Sequence, residues 1–297
     1  MSDRKTQGLT TAVALAALGA VVIWGASPVA TKIAVEGLPA IVVAALRTVL
    51  GGLLALPVAL LLRTPLPRGR AETSLLGLSA FSGFVAFPLL YSIGIGLTSA
   101  NHASLILAVL PVYTGAIAMA IERRWPKALW WAGCLVALGG EALLISSRAG
   151  ATSDGSSLQG DAIVLGSAVF ASAGYVAGGR LKQIGYPSTG ATFWGAAAMA
   201  LLVAPALPFI AAGIDWTALP VEGVLSVGYL AVAVTIGGYI LWYWALGQGG
   251  IARIGLFQFL QPVSGVALAA LFLGEPMSAR MLVSAALILG GVYLASR

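Results

Sequence analysis

Charge is what this sequence has least of. Of its 297 residues only 9% are Asp, Glu, Lys or Arg, and 59% are hydrophobic. A soluble globular chain carries about 25% charged residues, so a water-facing surface cannot be assembled from this composition. Mean hydropathy is +0.97. Cysteine is nearly absent too. Cys134 alone, inside an apolar run, excludes a disulfide framework and a thiolate metal site. One histidine, His102, excludes a histidine metal cluster. No Walker-type loop, HExxH or GxSxG occurs, so neither ATP drive nor a hydrolase constellation can be built from this chain. No metal, cofactor or catalytic residue is expected, and the chain does not read as an enzyme. The net charge of +6 invites a nucleic-acid partner. That reading fails, because the basic residues fall in short loops between apolar runs rather than on one face.

What is present is apolar sequence in runs of about 20 residues, enough to cross a ~30 Å hydrocarbon layer as helices. Ten spans are expected, near 9–34, 39–62, 74–98, 100–121, 127–147, 159–179, 189–212, 223–246, 254–274 and 279–296. The polar turn from Arg63 to Glu72, with Pro65 and Pro67, separates two of them, and Glu122-Arg123-Arg124 with Pro126 separates two more. Arg4-Lys5 ahead of Leu9–Ile23 resembles a signal peptide, but the apolar run continues to Thr31, too long for an h-region. It is kept as the first span. With the amino terminus placed in the cytoplasm, twelve Lys and Arg collect on the inner side and three (Lys32, Arg148 and Arg280) on the outer side. That bias predicts cytoplasmic termini.

The stretch from Pro88 to Gly140 reads as though written twice. Shifted by 151 positions, Pro111 meets Pro262, Gly139-Gly140 meets Gly290-Gly291 and Tyr91 meets Trp242. A shift of 148 brings Lys32 to Arg180, Gly37 to Gly185 and Pro39 to Pro187. The reading is a first five-helix repeat over 1–148, a Ser- and Gly-rich linker over 149–158 and a second repeat over 159–297. Five spans is an odd number, so the second repeat enters the membrane in the opposite sense. The expected fold is an all-α membrane protein, ten transmembrane helices in two inverted five-helix repeats around a central cavity. Exchange of the two halves' conformations would open that cavity alternately to either side.

Polar groups within such spans need a partner or a wet cavity. Arg47 and Glu141 lie ~12 Å and ~9 Å below the outer ends of their spans. They are expected to form a structural ion pair, with Arg47 holding a substrate carboxylate as the sharper alternative. His102, at the start of the fourth span, reads as a cap or as a ligand contact. Pro28, Pro88, Pro111 and Pro262 lie inside spans, where proline frees a carbonyl, and are expected as hinges. Tyr239, Trp242 and Tyr243 share one helical face, suited to lining a cavity or to packing. Gln258 and Gln261, beside Pro262, offer uncharged hydrogen bonding. Gly174, Gly178 and the Gly-Gly pairs mark close helix contacts.

Together these features resemble the EamA branch of the drug/metabolite transporter superfamily. The resemblance rests on Trp24-Gly25 with Lys32, Arg47, the paired mid-span prolines, Gly274-Glu275-Pro276 closing the ninth span and the Gly-Gly pairs. It covers about 10–296. The first half departs from the pattern, with Arg123-Arg124-Trp125 where the second has Gly274-Glu275-Pro276. Within the branch the chain is similar to bacterial YddG-type amino-acid exporters. The resemblance implies a helical basket around a cavity, with the fifth and tenth spans peripheral. It points to Trp24, Ser27, Tyr91, His102, Tyr113, Tyr175, Tyr239, Trp242, Tyr243 and Gln258 as substrate-binding candidates. It implies export of aromatic amino acids, methionine and threonine across a bacterial inner membrane. The chain is expected to work as a monomer, with amino-acid substrate and membrane lipid as its partners. Sugar phosphates or nucleotide sugars, or passage through a passive channel, are the alternatives.

Overall fold

The computed structural model describes residues 10–98, 103, 106–107, 109–123, 125–146, 157–261, 263–264 and 279–295, without the side chains at 141, 144–146 and 281. Its helices are α1 (Thr11–Gly37), α2 (Ala40–Leu61), α3 (Gly69–Leu97) and α4 (Leu110–Ile121), then α5 (Ala128–Ser146). After these come α6 (Leu158–Gln183), α7 (Ser188–Ile210), α8 (Val221–Gly249) and α9 (Ile251–Leu260), and α10 (Ala279–Ala295). No strand occurs among the described residues. Six of them, α1, α2, α3, α6, α7 and α8, are long and apolar enough to cross a membrane. Leucines 15, 53, 60, 201, 202, 225 and 289 all lie more than half exposed on the outer faces. A surface of that kind is stable against hydrocarbon and not against water.

The helices begin in register between the halves. Starts at Thr11, Ala40 and Gly69 are answered by Leu158, Ser188 and Val221, at offsets of 147 to 152. Pro39 and Pro187 precede α2 and α7 as their N-caps, where a proline's missing N–H costs nothing. Span ends differ from expectation mainly at α3, which begins at Gly69 inside the expected polar turn. Glu72 allows this early start, its carboxylate accepting the Arg68 backbone N–H at 2.6 Å. Lys32 donates to the Ile95 and Thr98 carbonyls, each at 3.4 Å, at the end of α3 where a cation suits the helix dipole.

Three expected hinge prolines fall at breaks rather than within unbroken helix. α1 turns at Ala26, and Pro28 sits in the first turn of the segment that restarts at Ser27. In α3 a π-helical stretch, Ser82–Ala86, precedes Pro88, which opens the α-helical remainder. Pro111 stands in the first turn of the helical stretch that starts at Leu110, downstream of helical residues at 103 and 106–107. The preceding residue Val109 is a turn, with its N–H donated to Ile106. α8 carries its own π-helical stretch, Leu230–Gly238, at the position that the 151-residue offset assigns as the counterpart of Ser82–Ala86. Pro262, His102 and Gly274–Pro276 lie outside the described residues.

α6 packs against α3, α4 and α8, and α2 packs along α7. Small residues permit this: a Cβ on Gly52 would meet Ala196 and Ala200, and one on Gly174 would lie 3.1 Å from the Gly83 nitrogen. α5 and α10 pack mainly on each other, with Gly133 and Gly140 against Gly291, Ala295 and Ile288. That pair has its own small apolar cluster around Trp130, Cys134 and Phe259.

Candidate functional site

A buried chamber lies where α1, α2, α3, α4, α6 and α8 meet. Trp24, Ser27, Pro28, Arg47, Phe87, Tyr91, Leu107, Leu110, Tyr175, Val234, Tyr239 and Gln261 line it. The open space amounts to about 20 Å³ available to the centre of a water molecule, room for a water or two and for no amino acid. Aromatic rings fill the rest. Trp24 and Tyr175 are stacked, centroids 5.3 Å apart and planes 17° from parallel. Tyr239 and Trp242 each close on Trp24 at 5.4 Å, and Tyr175 touches both. Phe87 stacks on Tyr91 at 5.4 Å.

The helix breaks hold these rings in place. Phe87 donates its N–H to the Ser82 carbonyl in the π-helical pattern, and Pro88 has no N–H to give. The Gly83 carbonyl is therefore left for another donor, and the Tyr239 hydroxyl takes it at 2.9 Å. The Phe84 carbonyl, which a residue other than proline at 88 would have bonded, accepts the Thr48 hydroxyl at 2.5 Å. In α8 the Tyr239 N–H turns to the Ile236 carbonyl, and the Val234 carbonyl accepts Trp24 Nε1–H at 3.1 Å. Gly83 and Val234 are 151 positions apart, so equivalent carbonyls in the two halves each hold a chamber aromatic. Pro28 likewise strips the Trp24 carbonyl of its helical donor, and Gln261 Nε2–H reaches it at 3.1 Å. Gly238 must be glycine, because a Cβ there would overlap the Trp24 indole.

Arg47 is the single charged residue among the described lining residues and is only 3% exposed. Its Nε–H donates to Thr235 Oγ1 at 3.1 Å, and Thr235 in turn donates to the Leu230 carbonyl at 2.7 Å. The terminal nitrogens of its guanidinium make no hydrogen bond or ion pair to a described residue. The expected partner, Glu141, has its side chain outside the described residues. Its helix, α5, packs on α10. Tyr91 Oη and Trp242 Nε1, buried repeat mates, also lack a partner among the described residues.

The other candidates fall around the chamber rather than on it. Tyr243 lies beneath Tyr239, with rings 5.3 Å apart, and its hydroxyl is 2.8 Å from Ser79 Oγ. Trp242 backs the Trp24–Tyr175 stack. Gln258 joins a polar cluster with Thr114 (3.5 Å) and, through it, Ser172 (3.2 Å), while its Nε2 is buried without a partner among the described residues. Tyr113 is half-buried and packs on the main core away from the lining. His102 is outside the described residues. Thr235, which orients Arg47, escaped sequence reasoning altogether. A lone hydroxyl residue inside an apolar span was the available signal. Among the described residues no group of three or more His, Cys, Asp or Glu side chains could hold a metal.

Comparison with known proteins fits this geometry. The EamA-like transporter family matches residues 11–146 and 158–297. The chain belongs to that family. Its relatives include a transporter of Bacillus subtilis, YdeK, 30% identical over 87% of each chain. Proteins named probable amino-acid metabolite efflux pump, from Salmonella typhimurium and Escherichia coli, are 29% and 30% identical over 94% of this chain and 92% of theirs. A solved crystal structure superposes with a TM-score of 0.76 over 96% of both chains at 20% identity, a likeness of fold. The family makes this a transporter, embedded in a membrane by its apolar helices.

Proposed function

We propose that this EamA-family transporter exports amino acids across the inner membrane by alternating access, working as a secondary carrier without a cofactor. One observation carries the reading. The chamber is lined largely by aromatic rings, and its central pair comes from matching positions of the two sequence halves. Trp24 and Tyr175, 151 positions apart, stack face to face at its centre, as repeat mates beside a pseudo-two-fold axis would. The repeated helix starts and the paired π-helical stretches support two inverted five-helix repeats of ten spans in all. The Lys and Arg bias supports cytoplasmic termini. The printed names of two relatives support amino acids as the cargo class.

In this reading, contacts between the halves act as the gates on the two sides of the chamber. On the side assigned as outer, Thr98 Oγ1–H donates to Asp161 at 2.7 Å, and the Ser157 N–H donates to the Leu97 carbonyl at 3.2 Å. On the inner side the Tyr186 hydroxyl donates to the Pro65 carbonyl at 2.9 Å, and Trp194 Nε1–H to the Thr64 carbonyl at 3.1 Å. Transport then requires each set to open in turn. The asymmetry of Tyr91 and Trp242 gives the motion a form. Trp242 packs on the central stack while its mate Tyr91 lines the space. Exchange of conformations between the halves swaps these roles.

Phosphorylated sugars would call for several buried cations, and among the described residues one lines this chamber. Efflux from proteoliposomes preloaded with a panel of labelled amino acids tests the proposal. Loss of at least one faster than from protein-free vesicles, saturating with concentration, is expected. Equal leakage of all of them would contradict it, and unsaturable passage would indicate a channel.

A further inference from the structure

Arg47 poses an energetic problem. A guanidinium taken out of water loses several kcal/mol of hydration, recovered only through well-placed partners. Here one of its five N–H groups is satisfied, by Thr235, and no carboxylate pairs with it among the described residues. Thr235 is itself fixed to the Leu230 carbonyl, so the guanidinium plane is held while its forked end stays open. Such a fork matches the two oxygens of a carboxylate. On the same chamber wall is Tyr91, 1% exposed, whose hydroxyl has no partner among the described residues. It is a second donor awaiting an acceptor. Among the described residues no acidic side chain lines the space to balance a cationic ligand.

We infer that Arg47 and Tyr91 form a carboxylate subsite, and that the carboxylate is the recognised group of every transported substrate. The inference rests on the amino-acid reading above and sharpens it. Substrate charge completes the pairing that the empty chamber lacks, and the Trp24–Tyr175 stack opens to receive the apolar side chain. Decarboxylated amines are excluded, whereas removal of the amino group is tolerated.

The test is isothermal titration of phenylalanine, 3-phenylpropanoate and 2-phenylethylamine into the detergent-purified full chain. Phenylalanine and 3-phenylpropanoate are expected to bind, and 2-phenylethylamine to bind about a hundredfold more weakly than phenylalanine or not at all. Arg47→Gln should weaken phenylalanine about a hundredfold, and Arg47→Lys, which keeps the charge and loses the fork, should weaken it less. Tyr91→Phe, a substitution that leaves the ring packing intact, should weaken phenylalanine about tenfold at unchanged thermal stability. This variant keeps the inference testable if Arg47→Gln fails to fold. Equal binding of the amine, or phenylalanine affinity within twofold of wild type in Tyr91→Phe and the folded Arg47 variant, would overturn the carboxylate subsite. Amine binding without acid binding would sink it while leaving a small-molecule carrier. Silence with all three ligands would remove it together with the amino-acid reading.

Discussion

At the residue scale, the prolines within the spans act as much through the carbonyls they expose as through the bends they allow. A carbonyl without a donor in hydrocarbon costs several kcal/mol. Phe84 and Trp24 each lose the donor that Pro88 and Pro28 cannot supply, and Thr48 and Gln261 replace it. Thr48→Val should therefore destabilise the protein by about 1–3 kcal/mol, seen as a lower midpoint of thermal unfolding in detergent. Adding Pro88→Ala, which restores an N–H, should recover part of the loss. Additive losses in the double variant would show that the two residues are not coupled through that carbonyl. The prolines were legible in the sequence because their chemistry is local. Their partners were not, because they arrive from 36 and 237 residues away, a distance that neither spacing nor composition encodes. Thr235 was invisible for the same reason. Its hydroxyl looks like ordinary helix back-bonding until Arg47 is seen beside it.

At the element scale, two helices stand apart from the chamber. α5 and α10 meet through Gly133, Gly140 and Gly291, where backbones touch and no Cβ fits, and none of their described side chains lines the chamber. Gly291→Leu should force the pair apart, lowering the unfolding midpoint by several degrees as overpacking does, at about 1–3 kcal/mol. Substrate affinity should stay within about twofold, since a change well under 1 kcal/mol is expected from sites without shared partners. A large loss of affinity in protein that still folds would place α5 and α10 in the transport machinery. The Gly-Gly pairs announced these contacts in advance, because close approach of backbones demands glycine. The early start of α3 was missed, since Arg68 and Glu72 read as loop residues until the carboxylate was found on the backbone N–H that opens the helix. The π-helical stretches carry no sequence signature beyond Pro88 itself, and in α8 not even that.

At the scale of the whole molecule, the apolar exterior and the shared offsets of helix starts were both readable from the sequence, since hydropathy and period report directly on burial and duplication. The closed state of the chamber was not. It depends on how Trp24, Tyr175, Tyr239 and Trp242 interlock, and the same rings would serve an open cavity equally well. A chamber this small must widen to hold an amino acid, and in the proposed cycle the contacts between the halves on its two sides break in turn. The proposed carrier would exchange substrate through alternating closure, and exchange by that route calls for no imposed ion gradient. The most direct test is counterflow of labelled phenylalanine, threonine and methionine into liposomes preloaded with the same unlabelled amino acid, with no pH difference across the membrane. Transient accumulation of label above equilibrium, saturating with external concentration, is the predicted result. Folded protein that equilibrates the label without overshoot, or moves none of the three, would contradict an amino-acid carrier working by alternating access.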